Sequence, residues 1–314
     1  MRELELLEKL ALLLPSADQR VIRGIGDDAM VLASSGAIAV SVDQTIEGIH
    51  ADLRFFTYRE FGARAVLSAM SDLSAMGALP GEALLALTLP SGTTEAQAAE
   101  LIAGAGEAAT DCGSSIVGGD LSIGPALAAS VTVIGHAESP RGLVGRDGAQ
   151  SGDLIGLTGS IGGSGAGLAL LSENADHQSA LADRHRRPAI RVVEGLGLAA
   201  AGVTAMIDLS DGLAADAAQV GRASRLLLEI DSSLLPLDPG VEAVAEQVGM
   251  PAWQFAAGSG EDFELLFTAP SNQRLRVEAA CSDCGVTWIG NVVAGEPGAS
   301  IDGRRDIAGW EHKT

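Results

Sequence analysis

Lysine is almost absent from this chain. The only lysines are Lys9 and Lys313, which lie near the two ends of the 314 residues. A protein kinase of the common type needs a lysine on an internal strand, and a P-loop needs Gly-Lys-Ser/Thr, so the sequence excludes both. Chemistry on phosphate groups would therefore depend on metal ions, arginine side chains and backbone N–H groups.

Aromatic residues and cysteines are also scarce. Aromatics make up 3% of the chain, so alanine, leucine, valine and glycine have to fill the core. The three cysteines, Cys112, Cys281 and Cys284, are an odd number and do not form a disulfide framework. Cys281 and Cys284 are close in sequence, but a structural zinc site needs a second pair of ligands, which is not found with them. We expect free thiols and a cytoplasmic protein.

Basic charge is low, since 20 lysines and arginines face 41 acidic residues and the formal net charge is −21. Nucleic acids and anionic membranes both attract basic surfaces, so the charge argues against either partner. Glu3, Glu5 and Glu8 are wrong for the basic start of a signal peptide. The longest uncharged stretch, 154–172, is interrupted by glycines and does not predict a membrane span.

Alternating apolar patterns predict a mixed α/β protein with two domains. In the first half we expect a strand at 37–43 that ends in an acidic turn, helices at 57–77 and 94–110, and strands at 115–117 and 126–136. A linker rich in glycine and arginine follows, at 138–148. It places the domain boundary between residues 138 and 139, giving domains 1–138 and 139–314.

The second half repeats the alternation. We expect strands at 153–158, 204–208, 226–230, 263–268 and 287–292, helices up to residue 171, after Pro188 and at 213–223, and a polar loop at 174–187. In both halves acidic residues follow predicted strand ends, where ligands commonly bind in α/β proteins.

Aspartates recur beside glycine or serine along the chain. A single Asp-Gly is typical of a turn or a helix cap. If six of them converge, however, two carboxylates about 4 Å apart repel by about 4 kcal/mol at an effective dielectric near 20. Magnesium binds through a few carboxylates and substrate phosphates, and would stabilise such a cluster. These six predict a nucleoside-triphosphate site with several Mg²⁺ ions: Asp28, Asp43, Asp72, Asp120, Asp208 and Asp211.

The glycine-rich run at 162–167 has two interpretations. It lacks the spacing of a dinucleotide fingerprint, and it could contact a ligand directly or form a tight turn from strand to helix. The residues alone leave both interpretations open.

Eight motifs in order resemble the thiamine-monophosphate kinase family, which belongs to the superfamily of aminoimidazole ribonucleotide synthetase. They are GIGDDAMVL (24–32), SVDQTIEGIH (41–50), SDLSAMGALP (71–80), GGD (118–120), GDLIGLTG (152–159), RRPAIRV (186–192), MIDLSDGLAAD (206–216) and GEDFELLF (260–267). The resemblance implies a two-domain synthetase-like fold. Its N-terminal ATP- and Mg²⁺-binding sheet domain pairs across a homodimer, and its second domain is α/β.

The implied reaction is ATP plus thiamine monophosphate to ADP plus thiamine diphosphate, by direct transfer with no protein nucleophile. Matched by motif, the implied magnesium ligands are Asp28, Ser41, Val42, Asp43, Asp72, Asp120, Asp208 and Asp211. The implied ATP contacts are Gly119, Asp120, Arg146 and Ser210. The implied contacts of thiamine monophosphate are His50, Glu261 and Trp310, where an indole could stack on the thiazolium cation.

The sequence departs from the family pattern at Val42, Leu121, Ile123 and Gly163. Val42 replaces a hydroxyl residue, although its backbone carbonyl could still coordinate a metal ion. Two alternatives therefore remain beside the kinase: another ATP-dependent synthetase of the same superfamily, or an inactive nucleotide-binding paralogue.

Overall fold

A computed structural model describes residues 21–23, 31–32, 35–139, 142–173 and 178–309. The backbone divides into two compact units. Unit 1 comprises Met1–Leu73 and Ala78–Pro140, and unit 2 comprises Ser74–Gly77 and Arg141–Thr314. In the part of the chain that is described, every helix is too short or too polar to cross a membrane.

Unit 1 is built around one four-stranded sheet. Its elements are β1 (Val21–Arg23), β2 (Val31–Leu32), β3 (Ala37–Ile46), α1 (Tyr58–Ala75), β4 (Leu79–Pro90), α2 (Glu95–Asp111), β5 (Ser115–Gly124) and β6 (Ala128–Ala137). The sheet has the order β3-β6-β4-β5, and only β4 and β5 are parallel. That parallel pair needs a crossover, which α2 supplies.

Helices α1 and α2 cross at two glycines, one in each helix, and each glycine lies against the backbone of the other helix. A Cβ on Gly104 would lie 1.9 Å from the carbonyl oxygen of Arg59, and one on Gly62 would lie 2.0 Å from that of Leu101. No side chain fits at either position, so the two helix backbones approach closely. Helix α2 begins with a capping box, in which Thr94 and Gln97 satisfy each other's backbone N–H groups.

The two faces of this sheet differ. Leu85 and Val131 pair on one face and are buried, and α1 lies against this face through Asp72. The opposite face carries Val40 and Val42 of β3, which are 62% and 66% exposed. We call this second face the open face. It is apolar along an edge strand, a surface that commonly binds another chain.

Unit 2 contains a six-stranded sheet with the order β12-β9-β11-β7-β10-β8, in which only β12 and β9 are parallel. Its strands are β7 (Leu154–Thr158), β8 (Ala205–Asp208), β9 (Leu227–Ile230), β10 (Leu265–Ala269), β11 (Val286–Val293) and β12 (Gly298–Ile301). Its helices are α3 (Gly163–Ser172), α4 (Ala180–Arg186), α5 (Val192–Ala201), α6 (Leu213–Ser224), α7 (Val241–Gln247), α8 (Ala252–Gly258) and α9 (Arg274–Ala280). Short 3-10 turns span Ser232–Leu234 and Ser271–Gln273.

Both faces of the unit 2 sheet are buried. Leu266 and Ile207 belong to one apolar cluster, whereas Leu265 and Met206, each one residue away, belong to the other. Burial on both faces explains why β8 and β10 are almost continuously apolar.

The mixed α/β fold class with two sheet-containing units is confirmed, but some predicted elements are wrong. The loop expected at 174–187 contains α4, which begins after Ser179 accepts a hydrogen bond from the backbone of Ala182. The strand expected to end near Asp43 runs on to Ile46, so no acidic turn is present there. The strand expected at 115–117 extends to Gly124, and β12 was not expected.

Candidate functional site

In unit 1 the structure brings Ser41 and Asp72 together. Ser41 lies on β3 and donates its hydroxyl hydrogen to the carboxylate of Asp72 on α1. Asp43 lies two residues along the same strand and therefore on the same face as Ser41. Its carboxylate accepts a hydrogen bond from the backbone N–H of Gln44 at 2.7 Å. This face thus presents two carboxylates and a hydroxyl, all oxygen donors of the kind that hard cations prefer.

Val42 and Asp120 lie on the open face instead. The register places Asp120 beside Ala86, which pairs with Ser130, which pairs with Gln44. Because side chains alternate along a strand, Asp120 and Asp43 are on opposite faces and three strands apart. Within one chain, Asp120 is therefore not on the face that carries Ser41, Asp43 and the contact with Asp72.

Gly119, predicted to contact ATP, lies where backbones are crowded. A Cβ there would be 1.9 Å from the carbonyl oxygen of Leu85. The neighbouring strand alone therefore requires glycine at this position.

In unit 2 two acidic loops cross beside the sheet edge. Asp208 ends β8, the loop after it carries Ser210 and Asp211, and the loop before β10 carries Glu261 and Asp262. The N–H of Glu261 donates to the carbonyl of Ser210 at 2.8 Å. The structure thus brings a predicted ATP contact and a predicted substrate contact next to each other.

Glycines permit this crossing. A Cβ on Gly260 would lie 2.4 Å from the carbonyl oxygen of Ser210, and one on Gly212 would lie 2.9 Å from that of Ser259. The Asp-Gly and Gly-Glu steps of the two motifs are therefore explained by close backbone packing.

Asp216 is a buried carboxylate that the sequence analysis did not assign. It lies in the first turn of α6 and accepts hydrogen bonds from the N–H groups of Asp211 and Gly212, both at 3.1 Å. Burial, together with the charges of Asp208 and Asp211, raises its pKa to about 8. Its position five residues after Asp211, at the end of the motif 206–216, was the available signal.

Arg146 connects to this group through one side chain. Its guanidinium donates to the amide oxygen of Gln219 at 2.8 Å, and the amide nitrogen of Gln219 donates to Asp216 at 3.2 Å. The structure therefore places the predicted ATP contact Arg146 near the carboxylates of unit 2.

The glycine-rich run is occupied by the protein's own carboxylate. Asp262 accepts hydrogen bonds from the N–H of Gly162 at 2.7 Å and from that of Ser164 at 3.2 Å. These N–H groups lie at the start of α3, where an anion is favoured. Burial raises the pKa of Asp262 to about 7, while the two N–H donors and Arg184 act to lower it. The turn interpretation of the run is therefore the one that agrees with the structure.

Glu264 is fully buried between two arginines. Arg191 reaches both of its carboxylate oxygens at 2.7 Å, and Arg184 donates to one of them at 2.7 Å. The hydroxyl of Thr158 on β7 also donates to it, at 2.7 Å. Through these contacts Glu264 fixes the loop before β10, and this loop also carries Glu261 and Asp262.

His50 lies in unit 1, just beyond β3. Its Nδ1 atom accepts a hydrogen bond from the N–H of Ile46 at 3.1 Å, so it caps the end of that strand. Asp28 and Trp310 lie outside the described residues.

A cavity of about 360 Å³ opens beside the crossing loops of unit 2. It is lined by Met250, Gln254, Phe255, Gly258, Ser259, Asp306, Ile307 and Ala308. Ser259, which lines this cavity, lies two residues before Glu261. The partly apolar wall of the cavity and the carboxylate of Glu261 are therefore close together in the chain.

The oxygen donors of both units suit magnesium. Among the described residues, no three His, Cys, Asp or Glu side chains form a group that could hold a metal ion. Magnesium commonly uses one or two carboxylates and completes its shell with water and substrate phosphates. Ser41 with Asp72 fits that pattern, and so do Asp208 and Asp211, which both lie near enough to Asp216 for their charges to raise its pKa.

Comparison with known proteins identifies the family. The N-terminal domain model of AIR synthase related proteins matches residues 26–137, and the C-terminal domain model matches residues 150–302. Thiamine-monophosphate kinase of Mycobacterium tuberculosis is 33% identical over 297 residues, which cover 93% of this chain and 86% of that protein.

Solved structures are similar to this chain along nearly its entire length. The crystal structure of thiamine-monophosphate kinase from Stenotrophomonas maltophilia has a TM-score of 0.85 and 30% identity, covering 97% of this chain and 98% of that one. The structure of AaThiL complexed with AMPPCP and TMP has a TM-score of 0.80 and 32% identity, covering 100% and 99%. The resemblance stated from the motifs is thereby confirmed: this chain belongs to the thiamine-monophosphate kinase family of AIR synthase related proteins.

Proposed function

We propose that this protein transfers the γ-phosphoryl group of ATP to thiamine monophosphate and releases ADP and thiamine diphosphate. The observation that carries the proposal is the likeness, along the entire chain, to a kinase structure that binds AMPPCP and TMP. The crossing loops of unit 2 agree with it, because they place Ser210 beside Glu261.

The chemistry needs little from the protein beyond positioning. The acceptor is a phosphate oxygen, which is already largely ionised at pH 7 because its second pKa is about 6. A bond forms between this oxygen and the γ-phosphorus, and the bond from that phosphorus to the β–γ bridging oxygen breaks as ADP leaves. No protein nucleophile and no strong general base are required, so orientation and charge neutralisation dominate.

Magnesium is part of the proposal, with several ions at each site. When bound, Mg²⁺ neutralises charge on the phosphates of ATP and on the reacting group. The carboxylates and hydroxyl proposed to hold it are Asp28, Ser41, Asp43, Asp72, Asp120, Asp208 and Asp211, with the backbone carbonyl of Val42.

The remaining site residues are proposed to bind the two substrates. Gly119, Asp120, Arg146 and Ser210 contact ATP. His50, Glu261 and Trp310 contact thiamine monophosphate, with Glu261 accepting hydrogen bonds from the aminopyrimidine. Support comes from Arg146, whose guanidinium reaches the acidic end of α6 through Gln219.

A homodimer in the cytoplasm completes the proposal. The open face of unit 1 carries Ile38, Val40 and Val42 in exposed positions, and a second copy of this chain would bury them. Asp120 lies on the same face and would be close to that interface. The three free cysteines agree with a reducing compartment.

The test is an assay of the purified protein with ATP, Mg²⁺ and thiamine monophosphate, with separation of thiamine phosphates and measurement of inorganic phosphate. The proposal predicts thiamine diphosphate that requires Mg²⁺. ADP and free phosphate without thiamine diphosphate would instead favour another ATP-dependent synthetase, and no turnover at any Mg²⁺ concentration would favour an inactive paralogue.

A further inference from the structure

His185 is buried beside the proposed substrate residue Glu261. It lies in the last turn of α4 and is 3% exposed. Its Nδ1 atom is 3.1 Å from the hydroxyl oxygen of Ser164 and 3.7 Å from Oε2 of Glu261. One ring nitrogen therefore faces a hydroxyl, which can donate or accept, and a carboxylate, which as the anion only accepts.

Helix α4 packs closely against α3 at His185. Helices α3 and α4 approach each other at Gly167, where a Cβ would lie 2.0 Å from the carbonyl oxygen of Leu181 and 3.0 Å from the Cβ of His185. The start of the His185 side chain therefore lies directly against the backbone of α3.

Ser164 is held from its other side. Its backbone N–H donates to Asp262 at 3.2 Å, while its hydroxyl meets His185. Asp262 directly follows Glu261 in the chain. The start of α3, His185 and the Glu261–Asp262 segment thus form one connected polar group.

The backbone of Glu261 is fixed before any substrate binds. Its φ is +66°, a left-handed value that side chains other than glycine seldom adopt, and its N–H donates to the carbonyl of Ser210 at 2.8 Å. Its side chain remains 30% exposed. Oε2 of this partly exposed carboxylate lies 3.7 Å from Nδ1 of the buried His185.

We propose that His185 is a positioning residue for substrate recognition: it orients the carboxylate of Glu261 toward the aminopyrimidine of thiamine monophosphate, and Ser164 orients His185. This inference rests on the proposed function and names the residue behind its Glu261 contact. A carboxylate that is already oriented loses less rotamer freedom when it binds the amino group. The contact therefore contributes to binding of thiamine monophosphate and not to binding of ATP.

The test compares His185→Leu with His185→Asn. Asparagine places an amide nitrogen near the position of Nδ1, whereas leucine removes the polar atom and keeps much of the volume. His185→Leu should raise the KM for thiamine monophosphate about tenfold, the loss expected for one contact to a charged group, with kcat and the KM for ATP changed less than about twofold. His185→Asn should restore most of the affinity.

A double-variant cycle separates this role from a general structural one. If His185 acts through Glu261, then His185→Leu in a Glu261→Gln background should add little further increase in the KM for thiamine monophosphate. Asp183→Asn, on the exposed side of α4, is the control and should leave both KM values unchanged. If far-UV circular dichroism shows that His185→Leu does not fold, His185→Gln replaces it, since its amide lies nearer to Nε2.

Each outcome decides the inference. Additive effects, an equal rise in the KM for ATP, or no rescue by asparagine would overturn it while leaving the kinase activity intact. Absence of thiamine diphosphate from the wild-type reaction would overturn the proposed function and this inference together. A selective, rescued and non-additive effect supports it.

Discussion

Asp262 shows that a protein carboxylate can occupy the place where a glycine-rich loop could have bound phosphate. It takes two N–H groups at the start of α3, and it is 1% exposed. A charge buried this deeply is costly unless it is hydrogen-bonded, and here the donors offset only part of the cost. The residue therefore links the stability of unit 2 to pH.

The sign of that pH dependence follows from the raised pKa. Burial moves the pKa of Asp262 from its ordinary 3.8 to about 7, so between these values the folded state binds more protons than the unfolded chain. The free energy of unfolding contributed by this group should fall, by about 1–4 kcal/mol, as the pH rises from 4 to 7. Asp262→Asn should remove this part of the slope in urea unfolding at pH 5 and pH 8. Asp183→Asn is the control, and an unchanged slope in Asp262→Asn would contradict the account.

Asp43 is the residue that best tests the proposed magnesium role in unit 1. Its carboxylate accepts the N–H of Gln44, and asparagine retains an oxygen for that bond, so the fold should be unaffected. Asp43→Asn should lower kcat at least about a hundredfold, as loss of one preorganised charge-stabilising group does, with partial recovery at high Mg²⁺. Glu107→Gln on α2 is the matched control. Full activity of Asp43→Asn at low Mg²⁺ would rule out this role.

Among the secondary-structure elements, hydrophobic periodicity located the longer helices closely. The helix expected at 57–77 is α1, Tyr58–Ala75, and the one expected at 213–223 is α6, Leu213–Ser224. Sequence patterns did not reveal α4, because its seven residues are rich in arginine and only Ala182 and His185 are buried. A polar helix this short has no periodic signal, and its contacts with α3 stabilise it instead.

The crossing of α1 and α2 gives a prediction at this scale. Gly104→Ala would push a Cβ to 1.9 Å from the carbonyl oxygen of Arg59, so the helices must separate. We expect a loss of about 1–3 kcal/mol in the free energy of unfolding, measured by urea denaturation, despite the better helix propensity of alanine. Gly197→Ala in α5 is the comparison, since the nearest atom is the Cβ of Ala280 at 3.0 Å. Equal stabilities of the two variants would contradict a close α1–α2 crossing.

In the molecule as a whole, strand length and register decided which acidic residues come together. Acidic residues were expected just beyond strand ends, and Asp208 does end β8. Asp43 and Asp120, in contrast, lie inside the long strands β3 and β5, and the register of the unit 1 sheet places them on opposite faces. Strand pairing depends on contacts far apart in the chain, which local patterns do not encode. The family and fold class could be predicted, whereas the placement of Asp120 on the open face and the burial of His185 beside Glu261 could not.

The exposed apolar residues of the open face predict that two copies of the whole molecule form a dimer through β3. Val40 is 62% exposed on the edge strand β3, and a buried lysine at a dimer interface would be strongly unfavourable. Val40→Lys should therefore convert a dimer to monomers in sedimentation velocity. Val193→Lys, at a position 74% exposed in α5, should remain dimeric. A wild-type monomer, or a dimeric Val40→Lys variant, would contradict an interface on this face.

In the proposed mechanism the phosphoryl group passes directly from ATP to a phosphate acceptor, without a protein nucleophile. The most direct measurement is a single-turnover reaction with excess protein, γ-labelled ATP, Mg²⁺ and thiamine monophosphate, quenched over time. The account predicts that the label passes into thiamine diphosphate with a matching amount of ADP, and that no labelled protein or free phosphate forms. Labelled protein, or label released as free phosphate while thiamine monophosphate is unchanged, would contradict it.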